Sequence, residues 1–136
     1  MVEIKIEYSG DLHCTAVHGP SGATLETDAP VDNNGRGEAF SPTDLTATSL
    51  GVCMTTVMGI VAKRKGIDLE GMKVDVRKHM STDTPRRISR LELDIHVPLP
   101  ADHPERRMLE STGMGCPVHH SLHPDIEVVI DWRWQE

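Results

Sequence analysis

Between Asp44 and Lys63 the chain carries no charge over 18 consecutive positions, residues 45–62, and a single cysteine, Cys53, stands near the middle. A run of that length is either buried or spans a bilayer. It holds five Thr or Ser and two Gly, so its hydropathy is modest, and the chain offers no second such run. We therefore read it as a buried central helix and expect no membrane span. Its ends are marked in the sequence. Ser41 is placed as N-cap, Pro42 at the first helical position, and Asp44 three residues after the cap. Lys63, Arg64 and Lys65 suit the carboxyl end, and Gly66 closes it.

The rest of the 136 residues must supply what this helix packs against. That length suits one domain, residues 1–136, with an ordinary core. Aromatics are scarce, with two Trp, one Tyr and one Phe, so the core is aliphatic and leaves room for completion by a second subunit. Alternating patterns predict strands at 2–8, 12–19 and 23–29, a loop at 30–40, and after the helix strands at 72–80 and 86–99 joined through Ser-Thr-Asp-Thr-Pro. Two short helices follow at 103–113 and 116–122, and a last strand at 126–134. The order is that of an α+β chain without repeats.

With 14 Lys and Arg against 21 Asp and Glu the chain is acidic, which disfavours nucleic acid and anionic membrane as partners. The amino terminus has charges at alternating positions in place of a signal peptide's apolar stretch, so a cytoplasmic location is expected. Three widely spaced cysteines do not make a secreted disulfide framework.

Cys53 lies about a dozen residues into its helix, beyond the reach of the dipole, so a stabilised thiolate there needs an Arg or a hydrogen bond from elsewhere. Thr46, Ser49, Leu50, Thr56, Val57 and Ile60 share its face and could line a pocket. The competing reading makes Cys53 a small core hydrophobe. Cys116 precedes Pro117 and occupies a predicted N-cap, which by local reasoning makes it the better candidate for a low-pKa thiol. Cys116, His119, His120 and His123 also offer zinc-ligand types, yet Pro124 cuts the helix behind them and no distant partner motif exists, so no metal or other cofactor is expected. In the segment His13-Cys14-Thr15-Ala16-Val17-His18, strand alternation sends His13 and Cys14 to opposite faces, and Cys14 is read as packing.

The stretch SPTDLTATSLGVCMTTV resembles the first motif of the OsmC/Ohr family, in which Ser-Pro or Asn-Pro leads into a long cysteine-bearing helix. GCPVHHSL resembles the second, in which Cys-Pro opens a late short helix, and the order of strands matches across nearly the whole chain. The resemblance implies an OsmC-like fold, antiparallel sheets around a long central helix, in an intertwined homodimer. It also implies a thiol peroxidase acting on organic hydroperoxides, an antioxidant oxidoreductase, with Cys53 peroxidatic and Cys116 resolving. A dithiol reductant, in the family often a protein-bound lipoyl group, would restore the thiols.

One departure stands out. Peroxidase members usually carry Glu directly after the motif's proline, paired with an Arg that stabilises the thiolate; here Thr43 takes that place. Asp44 lies on the helix face opposite Cys53 and reads as a cap. Arg36, between two glycines, is the candidate for activating Cys53, and Glu38 for orienting Arg36. The alternative is a non-enzymatic OsmC-like stress or ligand-binding protein with poorly reactive cysteines.

Overall fold

The computed structural model describes all 136 residues. They form two compact units, Met1–Thr46 and Ala47–Glu136.

The first unit is a three-stranded antiparallel sheet of β1 (Ile4–Gly10), β2 (His13–His18) and β3 (Thr24–Asp28), in that order. Ile6, Ala16 and Leu25 align across it, as do Tyr8, Cys14 and Thr27. Strand alternation therefore gathers one apolar face, and Ile4, Ile6, Tyr8 and Leu25 are exposed on it. After β3 the loop makes one turn of 3-10 helix at Val31–Asn33 before Ser41.

There the helix α1, Pro42–Arg64, begins as its sequence dictates. Ser41 Oγ accepts the Asp44 N–H at 3.1 Å while Asp44 Oδ2 accepts the Ser41 N–H at 2.9 Å, a reciprocal capping box. At the far end Gly66 takes φ +70°, which lets the Gly66 N–H reach the Lys63 carbonyl and the Ile67 N–H the Ala62 carbonyl. That pair of bonds is a Schellman closure.

In the second unit α1 buries Ala47, Leu50, Gly51, Met54, Met58 and Ala62. The helix is long and apolar enough by composition to cross a membrane, but one third of its most apolar window is buried inside this chain. It is thus a one-sided core helix, and Val52 and Ile60 face outward.

Its buried side meets a sheet of β4 (Lys73–Met80), β5 (Ile88–Pro100) and β6 (Glu127–Gln135), with β5 central. Leu91, Leu93, Ile95 and Val97 of β5 point inward and are fully or almost fully buried. Gly51 faces the sheet closely: a Cβ there would stand 3.1 Å from Val76 Cγ2. Leu93→Ala is expected to cost about 3 kcal/mol, the lost transfer energy plus an unfilled cavity, read as a lower urea midpoint at unchanged m-value.

The α+β architecture agrees with the sequence reading, with one correction. The second sheet is mixed, because β5 pairs antiparallel with β4 but parallel with β6. A parallel neighbour needs a crossover, and α2 (Arg106–Met114) and α3 (Pro117–Ser121) provide it. That crossover delivers Cys116 to its place. The sheet's outer face is a ladder of ion pairs: Arg77 grips Asp94 through both terminal nitrogens at 2.9 and 3.1 Å and Glu92 through Nε at 3.0 Å. Arg90 bridges Glu92 and Glu127.

Candidate active site

Cys116 sits at the N-cap of α3, extended at φ −69°, ψ 150°, with Pro117 at the first helical position. Its Sγ accepts the His119 N–H at 3.4 Å. The cap geometry is the one read from the sequence, but its electrostatic consequence is reversed. Cys116 is fully buried, and burial pushes its thiol above the ordinary range. The adjacent Cys53 thiol, in hydrogen-bonding contact with it, raises it further; the His119 N–H pulls the other way. Cys116 is therefore a protonated reserve, not the low-pKa thiol suggested by local position. Desolvation outweighs the hydrogen bond at the cap.

Cys53 is half-buried on α1 and packs against the core cluster that includes Leu50, Met54 and Cys116. The structure thus brings together two reduced thiols lying 63 positions apart in the chain, one reachable from outside and one enclosed. Gly113, just ahead of Cys116, makes this approach possible. A Cβ on it would stand 3.0 Å from both Met58 Sδ and the Trp132 ring, so any larger residue would make those side chains give way.

The other sequence candidates are placed as follows. Around Cys53, Leu50 is fully buried, Val57 and Ser49 are half-buried, and Thr56 is exposed with its hydroxyl donating to the Val52 carbonyl at 2.7 Å. Thr46 lies at the start of α1 and its hydroxyl donates to the Pro42 carbonyl at 3.4 Å. Thr43, at the position the family usually gives to Glu, shares a 3.3 Å hydroxyl contact with Ser41.

Arg36 is exposed and pairs with Asp11 at 3.6 Å. Glu38 is exposed, and its backbone N–H donates to the Asp28 carboxylate at 3.1 Å. No group of three His, Cys, Asp or Glu side chains is arranged for a metal. The His119 ring instead turns Nδ1 to the Met114 carbonyl at 2.9 Å.

One feature was missed in the sequence. His13 Nδ1 lies 2.7 Å from Asp28 Oδ1, and Asp28 is buried. These residues stand 15 positions apart and become partners only through the β2–β3 register, so no motif betrays them.

Fold and site together define an α+β protein with a paired helix-cysteine and cap-cysteine. The OsmC-like protein family profile matches residues 35–131, and the chain belongs to that family. Among solved structures it is 44% identical to a provisional osmotic stress induced and detoxification response protein from Psychrobacter arcticus 273-4, over 98% of this chain and 96% of that one, with a TM-score of 0.92. An organic hydroperoxide resistance protein OsmC from Legionella pneumophila shares the fold at 16% identity, TM-score 0.77, over 98% and 96% of the two chains. Another, from Elizabethkingia anophelis, does so at 15% identity, TM-score 0.78, over 99% and 96%. No curated protein matches the chain.

Proposed function

We propose that this protein is a thiol-dependent peroxidase reducing organic hydroperoxides, with Cys53 attacking and Cys116 resolving. The contact between the accessible Cys53 thiol and the buried Cys116 thiol carries the reading. The Cys53 thiolate attacks the terminal peroxide oxygen; the O–O bond breaks, an alcohol leaves with a proton, and Cys53 becomes a sulfenic acid. The Cys116 sulfur then displaces hydroxide from that sulfenic sulfur and gives up its own proton, so that water and a Cys53–Cys116 disulfide result. A dithiol, a lipoyl group by family analogy, reduces the disulfide and is itself oxidised.

Each residue type fits its step. A cysteine in mid-helix is held rigidly, and its aliphatic surroundings suit an organic peroxide better than hydrogen peroxide. Raising the Cys116 pKa keeps its sulfur from being spent on peroxide itself, since the thiolate is the nucleophile. Contact with Cys53 makes resolution a matter of small motion.

Activation of Cys53 falls to Arg36, with Glu38 orienting it. Arg36→Ala is expected to slow first-turnover oxidation of Cys53 about tenfold, the scale of one lost charge-assisted hydrogen bond. An unchanged rate removes Arg36 from the mechanism. The working form in this reading is a cytoplasmic homodimer. The exposed apolar face of the first sheet and the exposed Val52 and Ile60 of α1 support it, because apolar surface of that kind marks an interaction site.

A second reading, a non-enzymatic binder with slow thiols, draws on Thr43 standing where Glu is usual. Stopped-flow oxidation by one equivalent of tert-butyl hydroperoxide separates the two: rapid, stoichiometric disulfide formation supports the peroxidase, and slow, unselective oxidation supports the binder.

A further inference from the structure

Asp28 ends β3 with a carboxylate only 4% exposed, and its two oxygens hold different parts of the chain. Oδ1 receives His13 Nδ1 of β2 at 2.7 Å; Oδ2 receives the backbone N–H of Glu38, on the returning limb of the loop, at 3.1 Å. The Asp28 N–H donates to the Phe40 carbonyl at 3.2 Å, and the Gly37 N–H to the Ala29 carbonyl at 3.2 Å. Residues 29–40 therefore leave Asp28 and come back to it. The loop is folded hard on its own beginning: a Cβ at Gly35 would fall 1.7 Å from the Ala29 oxygen, so only glycine fits. Arg36 stands on the returning limb of this closed loop, between Gly35, whose N–H donates to the Pro30 carbonyl, and Gly37.

We propose that Asp28 and His13 are positioning residues: with His13 protonated, the Asp28 carboxylate is the buckle that closes the Arg36 loop, and the buckle slackens as His13 loses its proton. The link from this loop to Cys53 chemistry through Arg36 rests on the peroxidase reading above; the closure itself does not.

The charges around His13 all bear on this. Asp28 and Glu26 of β3 face its two nitrogens, at 2.7 and 3.4 Å, and both favour the imidazolium. From the loop, Arg36 acts on the charge of Asp28 and is itself paired with Asp11 of the β1–β2 turn. On β1 the residue opposite His13 is Gly10, which brings no side chain.

Hydrogen bonding to Asp28 holds His13 above its ordinary 6.5, against burial, while the bond to His13 holds Asp28 below its ordinary 3.8. The charged pair is thus complete in mildly acid solution and is lost as pH rises through the His13 value. In strong acid it is lost again, as Asp28 is protonated. A neutral His13 still donates one N–H, so what disappears is the charge assistance, leaving a weaker bond.

The test is hydrogen exchange on the full-length protein at pH 6 and pH 9, corrected for intrinsic rates, following the Glu38 amide against the β2–β3 ladder amides as reference. In the wild type, Glu38 protection is expected to fall about fivefold to tenfold between the two values, with the ladder amides unchanged. His13→Gln keeps a neutral donor and is expected to show a low, flat profile. Glu38 protection that does not respond to pH in the wild type overturns the buckle, and so does a His13→Gln variant that keeps the wild-type slope. Should that variant lose its ladder protection as well, the wild-type profile decides alone.

The same pH values are then used for first-turnover oxidation by tert-butyl hydroperoxide. The ratio of wild-type to His13→Gln rates is expected near fivefold at pH 6 and near one at pH 9; a ratio near one at both overturns the positioning of Arg36. Failure of the wild type to react at all contradicts the peroxidase reading and leaves the exchange profile to judge the buckle.

Discussion

Cys53→Ser is expected to lower turnover of tert-butyl hydroperoxide, with a dithiol as reductant, by on the order of a thousandfold or more, because nucleophile loss removes the whole covalent route. The substitution is nearly isosteric at a half-buried position, so the fold should survive it, and circular dichroism with urea titration checks this. Cys14 lies on β2, paired with Tyr8 and Thr27 in the first sheet. A variant that keeps more than a tenth of wild-type turnover would place the chemistry elsewhere.

Cys116→Ser separates attack from resolution. Serine is a good N-cap and its hydroxyl can accept the His119 N–H that the sulfur now accepts at 3.4 Å, so α3 should persist. The first turnover is expected within about twofold of wild type, since the attacking thiol is untouched. What changes is the product. The sulfenic acid has no partner thiol, accumulates to one per chain, is trapped by a sulfenic-selective reagent, and advances to sulfinic acid with excess peroxide. Steady-state turnover should then fall by on the order of a hundredfold, as direct reduction of the sulfenic acid replaces exchange at a disulfide. A variant that turns over at the wild-type rate and traps nothing would remove Cys116 from the cycle.

What could be read from the sequence was whatever is written in neighbouring residues. Ser41, Pro42 and Asp44 start α1 and Gly66 ends it because caps are local chemistry, and the structure repeats them bond for bond. The strands of both sheets were legible from alternation.

Pairing was not. Nothing in residues 86–99 or 126–134 says that β5 and β6 run parallel, since that depends on where the intervening helices lead the chain. The His13–Asp28 pair was hidden for the same reason. Cys116 shows the remaining limit: its N-cap position was legible, but the direction of its pKa depends on burial in a core assembled from residues far apart in the chain, which no local window contains.

The most direct test is intact-mass analysis with thiol counting on fully reduced protein, before and after one equivalent of tert-butyl hydroperoxide. The expected result is rapid loss of two thiols per chain and two mass units, with peptide mapping placing the bond between Cys53 and Cys116 and leaving Cys14 free. Slow oxidation spread over all three cysteines, or a disulfide that includes Cys14, would contradict it.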